Sequence, residues 1–456
     1  MTGSRVLKRR TILFLSGLLV SPLAISLVVG LTPLPVAQAA NPPVYKNHTE
    51  SWSSSWRSDA VFSHTVASGS YRLLVVAVMI RGDGEVSSIT YAGESLTEEI
   101  AHWPGTEDDQ RVEIWYLVNP PVGSADVLVH FASSVNPSGI AAVNFTGVHQ
   151  SSPIGQTAGA NGTAGNDATT NITTGSTDSL IFGAVSARGG DINDFTPGTD
   201  IAELWDDDTG TDDSTADDSL WGGELEAPTA SPPAYTFNAT FVPGRNWAIA
   251  CLELKAAPAP SFTDIIPDPS YYKDGDTVTL KVTLDNHNTA CTLTADFSNI
   301  DDQYVTGAES VVNWGTDNDD NNGDGHIDEP AEQGVYVVTY VISTVNSVDD
   351  GSYYVPVTAT DGVGNTKTDS TTLLTLDNTA PPAPTNLSAT AIAGGSIKLT
   401  WTASSPETDV SQYNIYRATT SGGQDYSSPI YTVSAVAEAS LVLVSMLPTL
   451  SWALTT

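Results

Sequence analysis

Residues 317–328 read Asp-Asn-Asp-Asp-Asn-Asn-Gly-Asp-Gly-His-Ile-Asp, and no other stretch of the chain spaces oxygen ligands as a metal loop requires. Counting Asp320 as position 1 of a calcium loop places Asn322 at 3, Asp324 at 5, Gly325 at 6, the His326 carbonyl at 7, Ile327 at 8 and Asp328 at 9. Alternate residues of a tightly turned loop can aim their oxygens inward, Gly325 permits the sharp turn, and Ile327 is expected to anchor the loop on a neighbouring core. Hard oxygen ligands in this register select Ca2+. Position 12 is Ala331 rather than a bidentate Glu, so Glu329, Glu332 or water has to close the shell. Affinity on the order of 10⁻⁴ to 10⁻³ M is expected for such a site. The competing reading is an acidic, solvated loop that attracts cations diffusely.

Other chemistry is sparse. There is no Gly-x-Ser-x-Gly elbow, no His-Glu-x-x-His pair and no phosphate-cradling glycine loop followed by Lys, so no catalytic residue is assigned and a non-catalytic role is expected. Glu224 and Glu226 alternate after Trp-Gly-Gly and could form a glycosidase-like carboxylate pair, and Glu113 beside Trp115 invites a similar idea. For each, the plainer expectation is an outward-facing strand residue. Arg81-Gly82-Asp83 has the form of an integrin-binding tripeptide, but chance is the stronger explanation, since tripeptides recur freely in a chain of this length. The run at 205–218 is rich in Asp, but its acids come in adjacent clusters, which reads as a solvated loop. Trp52, Trp56, Trp103 and Trp205 lie in loop-like surroundings and could stack on sugar rings, against a default of core packing.

Charge and the N-terminus set the compartment. Asp and Glu number 53 against 17 Lys and Arg, a formal net charge of −36, which repels a phosphate backbone and argues against nucleic-acid partners. Solubility outside the cell is the simplest reason for that excess. Residues 1–39 combine Arg5, Lys8, Arg9 and Arg10, a long apolar stretch and a final Ala-Gln-Ala, the order of a secretory signal peptide. Pro22, Pro33 and Pro35 argue against a continuous spanning helix, so no membrane span is expected after cleavage and the localisation is secreted, extracellular or cell surface. Cys251 and Cys291 fall in apolar, strand-like surroundings in different modules and are expected to be core thiols rather than a disulfide framework.

The rest of the chain shows two-residue periodicity in short Val, Thr, Ile and Tyr-rich runs, punctuated by Gly, Asn, Asp, Ser and Pro. The fold class is therefore all-β, a series of tandem β-sandwiches. Proline-rich stretches at 255–260 and 377–384 read as semi-extended linkers. They divide the chain into a signal peptide (1–39), a jelly-roll-like sandwich (43–257), an immunoglobulin-like domain with the calcium loop (258–378) and an incomplete fibronectin type III-like domain (380–456). In the first, some runs are continuously apolar, as in strands buried on both faces, while others alternate. A two-sheet sandwich is the simplest way to close that many strands.

Several motifs carry family resemblances. His-Thr-Val, Arg-Leu-Leu-Val-Val, Phe-Thr-Gly-Val and Trp-Ala-Ile-Ala-Cys-Leu-Glu together resemble an N-terminal sandwich module of bacterial secreted multidomain proteins. The second module, with Tyr-Tyr-Val-Pro-Val-Thr-Ala-Thr-Asp at 353–361 and a turn at 362–365, resembles bacterial immunoglobulin-like modules, and the resemblance implies one late strand across Pro356. Its acidic loop is similar to the calcium repeats of thrombospondin type 3 and dockerin modules, which are used outside the cell. The third module resembles a fibronectin type III domain, which implies a core pair of Trp401 and Tyr413. Beyond Ala435 the expected Tyr-x-Tyr-x-Val-x-Ala strand is missing, so residues 435–456 are expected to be irregular, as from a truncated or shifted reading frame. The function expected is that of a secreted or cell-surface binding or adhesion protein with a structural calcium site. The alternative is the non-catalytic, carbohydrate-binding and spacer part of a secreted polysaccharide-degrading enzyme. Its partner would be an extracellular polysaccharide or surface glycan.

Overall fold

Eight consecutive apolar residues, 73–80, lie inside the strand Leu73–Arg81, and their alternating side chains enter two different cores. Leu73, Val75, Ala77 and Met79 point one way, and Leu74, Val76, Val78 and Ile80 the other. The computed structural model that shows this describes residues 40–105, 110–189, 193–209, 217–227, 234–285, 290–323, 326–328, 332–392, 396–404, 410–434, 440–443 and 451–455. The expected signal peptide lies outside the described residues. Among them, the 3-10 turn Trp314–Thr316 is the sole helical element, no helix is long and apolar enough to cross a membrane, and the architecture is all-β.

The strand Leu73–Arg81 sits at the centre of a five-stranded antiparallel sheet, between Ser138–Thr146 and Gln110–Val118, with Val44–Ser53 and Thr97–His102 at the edges. One face packs on a four-stranded sheet of Arg57–Val66, Gly123–Val135, Val86–Tyr91 and Glu94–Ser95, burying Ile89, Tyr91, Val127 and Val129. The other face packs on a third sheet, where Phe182, Ala184, Ala250 and Leu252 meet it. The sandwich expected for the first module is thus doubled, with one sheet shared by two cores.

The third sheet has a further core on its outer side. Its long strands Ile154–Ile172 and Tyr235–Leu254 slip register at Gly162, Gly165 and Asp167, and beyond that shift they carry Ala168, Ile172, Phe237 and Ala239 into the same core as Ile181, Val185 and Trp221. The neighbouring Gly222 and Gly223 are obligatory there. A Cβ on Gly222 would lie 2.1 Å from the Trp205 indole, and one on Gly223 would lie 2.5 Å from that of Trp221.

In the second module the sheet Ser261–Pro267, Thr277–Asp285, Val335–Val341 and Ser310–Asn313 faces two shorter sheets, and Val278, Leu280, Val282, Tyr336, Val338, Phe297 and Val357 fill the space between. The single strand expected across Pro356 is two, Gly351–Tyr354 and Val357–Thr360, each pairing with a different sheet. Proline cannot donate to the ladder, so the strand changes sheets at that residue. The first linker also departs from its expected form. Lys255 and Ala257 donate backbone N–H groups to Pro153 and Gly147 at 2.9 and 2.8 Å, and Ala257 is fully buried, so half of the linker is packed rather than semi-extended.

In the third module Trp401 and Tyr413 meet edge to face, ring centroids 5.5 Å apart, among Ile397, Leu399, Val410 and Ile415. In its C-terminal stretch residues 440–443 and 451–455 depart from the expected irregularity, and the rest of 435–456 lies outside the described residues. Ser440–Leu443 pairs with Ser396–Thr402, and Ser451–Thr455 pairs with Gln412–Ala418, so each small sheet gains a strand from it. Backbone pairing needs no particular side-chain pattern, which explains why a sequence without the family motif can still add strands.

Candidate metal centre

The acidic loop leaves the sheet through Ser310–Asn313 and the turn Trp314–Thr316 and returns through Val335–Val341. Asn313 caps the turn by accepting the Gly315 N–H at 3.1 Å, and the Trp314 ring carries the Lys281 ammonium 4.4 Å from its centroid. Those two contacts fix where the loop begins. Ile327, expected to anchor it, is instead 57% exposed. The anchor is polar: Gln333 donates to the carbonyls of Gly315 at 3.1 Å and Asp328 at 3.2 Å, clamping both ends together.

Inside the loop, carboxylates accept backbone and amide donors. The Asp317 oxygens each accept Asn321 Nδ2 at 2.9 Å, Asp320 Oδ1 accepts the Gly323 N–H at 2.7 Å, and Asp328 Oδ1 accepts that of Asn318 at 3.1 Å. Asn318, Gly323 and Asp328 adopt left-handed φ values of 61°, 80° and 50°. Only short polar residues and glycine take such angles readily, which accounts for the Asp, Asn and Gly composition of the loop.

The residue that closes the loop is Glu332. It is fully buried, its Oε1 accepts the N–H groups of Asn321 and Asn322 at 2.7 and 3.1 Å, and its Oε2 is buried with no hydrogen-bond partner. A buried carboxylate oxygen left without a partner is costly, and a cation is the partner that would serve it best. Of the five sequence-predicted ligands, Asp320, Asn322, His326 and Asp328 all fall on this loop; Asp324, with Gly325, lies outside the described residues. Among the described residues no three acidic or histidine side chains are gathered as tightly as a bound metal would hold them. Asp320, Asn322, the His326 carbonyl, Asp328 and Glu332 are nonetheless an oxygen donor set of the kind calcium takes.

The remaining candidates separate clearly. Arg81 is bound through its guanidinium to Asp218 and to the Asp217 carbonyl, so the Arg-Gly-Asp tripeptide does not present its cation to a partner. At the end of the run at 205–218, Asp217 and Asp218 are buried rather than solvated, while residues 210–216 lie outside the described residues. Glu113, expected to face outward, is buried and accepts Arg111 Nε at 2.6 Å, Trp115 Nε1 at 3.0 Å and the Val86 N–H at 3.2 Å. These donors satisfy it as a structural anchor. Glu224 is half-buried, and its carboxyl is pushed up to about 7 by burial and then by the charge of Glu226; both line an open groove with Asp200, Tyr235 and Asn238. Trp205 is a core residue, whereas Trp52 and Trp56 are 44% and 71% exposed. Cys251 and Cys291 are buried thiols, and burial pushes that of Cys251 up to about 12.

One cluster went unseen in the sequence. His48 Nε2 lies 3.2 Å from Glu50, His48 Nδ1 lies 2.7 Å from the Tyr45 hydroxyl, and Glu50 hydrogen-bonds Asp207. Burial, that bond and the charges of Asp207 and Asp206 push the Glu50 carboxyl up to about 7. Its members come from edge strands of two different sheets, a juxtaposition that no local spacing encodes.

Comparison with known proteins adds little to this geometry. No family model matches the chain, and no curated protein matches it. Among solved structures it is similar to the FN1-FN3 domains of chicken CNTN1, at 12% identity over 66% of this chain and 91% of that one, with a TM-score of 0.24. It is also similar to domains A168-A170 from titin, at 11% identity over 65% and 92%, with a TM-score of 0.23. Likenesses at these scores carry no argument; the tandem β-sandwich assignment stands on the sheets and cores described above.

Proposed function

We propose that this chain is a secreted or cell-surface binding or adhesion protein with no catalytic role, in which a calcium ion reinforces the immunoglobulin-like module. The buried, unpartnered Oε2 of Glu332 carries the calcium reading. Asp320, Asn322, Asp324, the His326 carbonyl, Asp328 and Glu332 would hold the ion, which would supply the positive charge that these carboxylates lack. The loop joins two strands of one sheet, so drawing its ends together stiffens the module rather than creating a reactive centre. Calorimetric titration of the full chain tests this: about one calcium per chain in the range 10⁻⁴ to 10⁻³ M supports it, and no binding at millimolar calcium rejects it.

The carbohydrate-binding reading is favoured by one observation, the exposure of Trp52 and Trp56 on either side of the serine turn at 53–55. Indole faces stack on sugar rings, and tryptophan is rarely this exposed without a partner. Binding of the full chain to neutral glycans on an array, lost in a Trp52→Ala/Trp56→Ala variant, would select this reading over protein adhesion.

A further inference from the structure

The turn between Val357–Thr360 and Thr366–Asp369 is held from within by Asp361. Its Oδ1 accepts the N–H groups of Val363 and Asn365 at 3.0 and 2.8 Å, and its Oδ2 accepts Asn365 Nδ2 at 3.0 Å. So fixed, Asn365 reaches out of its own module. Its Nδ2 also donates to the Ala257 carbonyl at 3.1 Å, and its Oδ1 accepts the Asn41 N–H at 2.6 Å. Asn41 answers by donating its Nδ2 to the Val363 carbonyl at 2.8 Å. Ala257 is tied in turn to Gly147 of the first module. Gly362 completes the fit, because a Cβ there would lie 2.1 Å from Ser70 Oγ and 2.8 Å from Ala290 Cβ.

Neighbouring domains normally move against each other unless their interface is large or firmly bonded. Here Asn365 is only 1% exposed, so breaking its bonds to Asn41 and Ala257 would strand its own buried amide. We propose that the Asp361–Asn365 turn is a clasp whose partner is the surface formed by Asn41, Ser70, Gly147 and Ala257, and that it holds the first two modules as one rigid body. The proline-rich linker is then a closed joint, and the surface of the first module is presented at a fixed angle to the second.

The full chain tests this with nitroxide labels at Val122→Cys and Val345→Cys, two exposed positions in the first and second modules, the native cysteines being buried. Electron–electron double resonance should give one narrow distance distribution. Asn365→Ala should widen it by about twofold or more, as freely moving neighbours would. Asn41→Pro, which removes both the N–H and the amide that reach the turn, should do the same, and because it leaves every bond from Asp361 intact it separates loss of the clasp from collapse of the turn. A broad distribution in the parent chain, or a width unchanged in either variant, overturns the proposal.

Discussion

The Asn321 N–H points at Glu332 Oε1 from 2.7 Å, and this bond ties the acidic loop to the residues that lead into Val335–Val341. A Gln at 332 can keep that acceptor while replacing the unpartnered Oε2 by an amide. Glu332→Gln should therefore act in opposite directions in two media. Without calcium it should be neutral or stabilising by about 1 kcal/mol, since a buried uncompensated charge is gone. With calcium it should weaken binding about tenfold or more. Thermal melts in chelator and in calcium check both; equal destabilisation in the two media would mean that Glu332 serves only the backbone.

The first module should carry two opposed pH responses. Burial holds the His64 imidazole down to about 4, so its contribution to stability is complete above its ordinary value of 6.5 and is lost as pH falls toward 4. Glu50 and Glu224 are each pushed up to about 7 from 4.5, so their contributions are complete below 4.5 and are lost as pH rises through 7. Above 6.5 the His64 contribution is complete while those of Glu50 and Glu224 are still being lost, and stability should fall from pH 6.5 to 8. Urea midpoints of the full chain should show that fall, and Glu50→Gln with Glu224→Gln should flatten it. An unchanged slope in the double variant would remove these two groups from the explanation.

Gly222→Ala should cost about 1–3 kcal/mol, because the added methyl meets the buried Trp205 indole and the core cannot expand freely. Denaturant melts followed by tryptophan emission read it directly. A loss below about 0.5 kcal/mol, the size of an ordinary surface change, would show that Trp205 has room to move.

Truncation after Ser434 removes the strands that pair with Ser396–Thr402 and Gln412–Ala418. The third module has a small core, so it should lose cooperative unfolding and the slow amide exchange of Gln412–Ala418. Retained protection there would return residues 435–456 to the role of an irregular tail.

What the sequence makes legible is local. The apolar run 73–80 announces a strand buried on both faces, Trp401 and Tyr413 pair as the fibronectin resemblance implies, and the acidic loop falls between strands. What it hides is long-range. Arg81 finds Asp218, and Asn365 finds Asn41, only after sheets distant in the chain have packed. Glu113 reads as an outward residue because alternation cannot reveal that Arg111, Trp115 and Val86 aim three donors at it. Pro356 and Ile327 differ from expectation for related reasons: the resemblance implies one strand where the missing N–H makes two, and the apolar side chain suggests an anchor where Gln333 performs that role.

The second module, as proposed, would bind calcium through a defined oxygen shell rather than by its net charge. Carboxylates crowded into one loop repel each other without metal, and a ligand that binds only the folded state raises the melting temperature by mass action. The decisive measurement is the melting shift of the full chain in calcium and in magnesium at equal ionic strength, for the parent and for Asp324→Ala. Calcium should raise the transition of the second module, magnesium much less because it holds its water and demands a tight octahedron, and Asp324→Ala should abolish the calcium shift. An equal shift with magnesium, or a calcium shift unchanged in Asp324→Ala, would contradict the site and leave only charge screening.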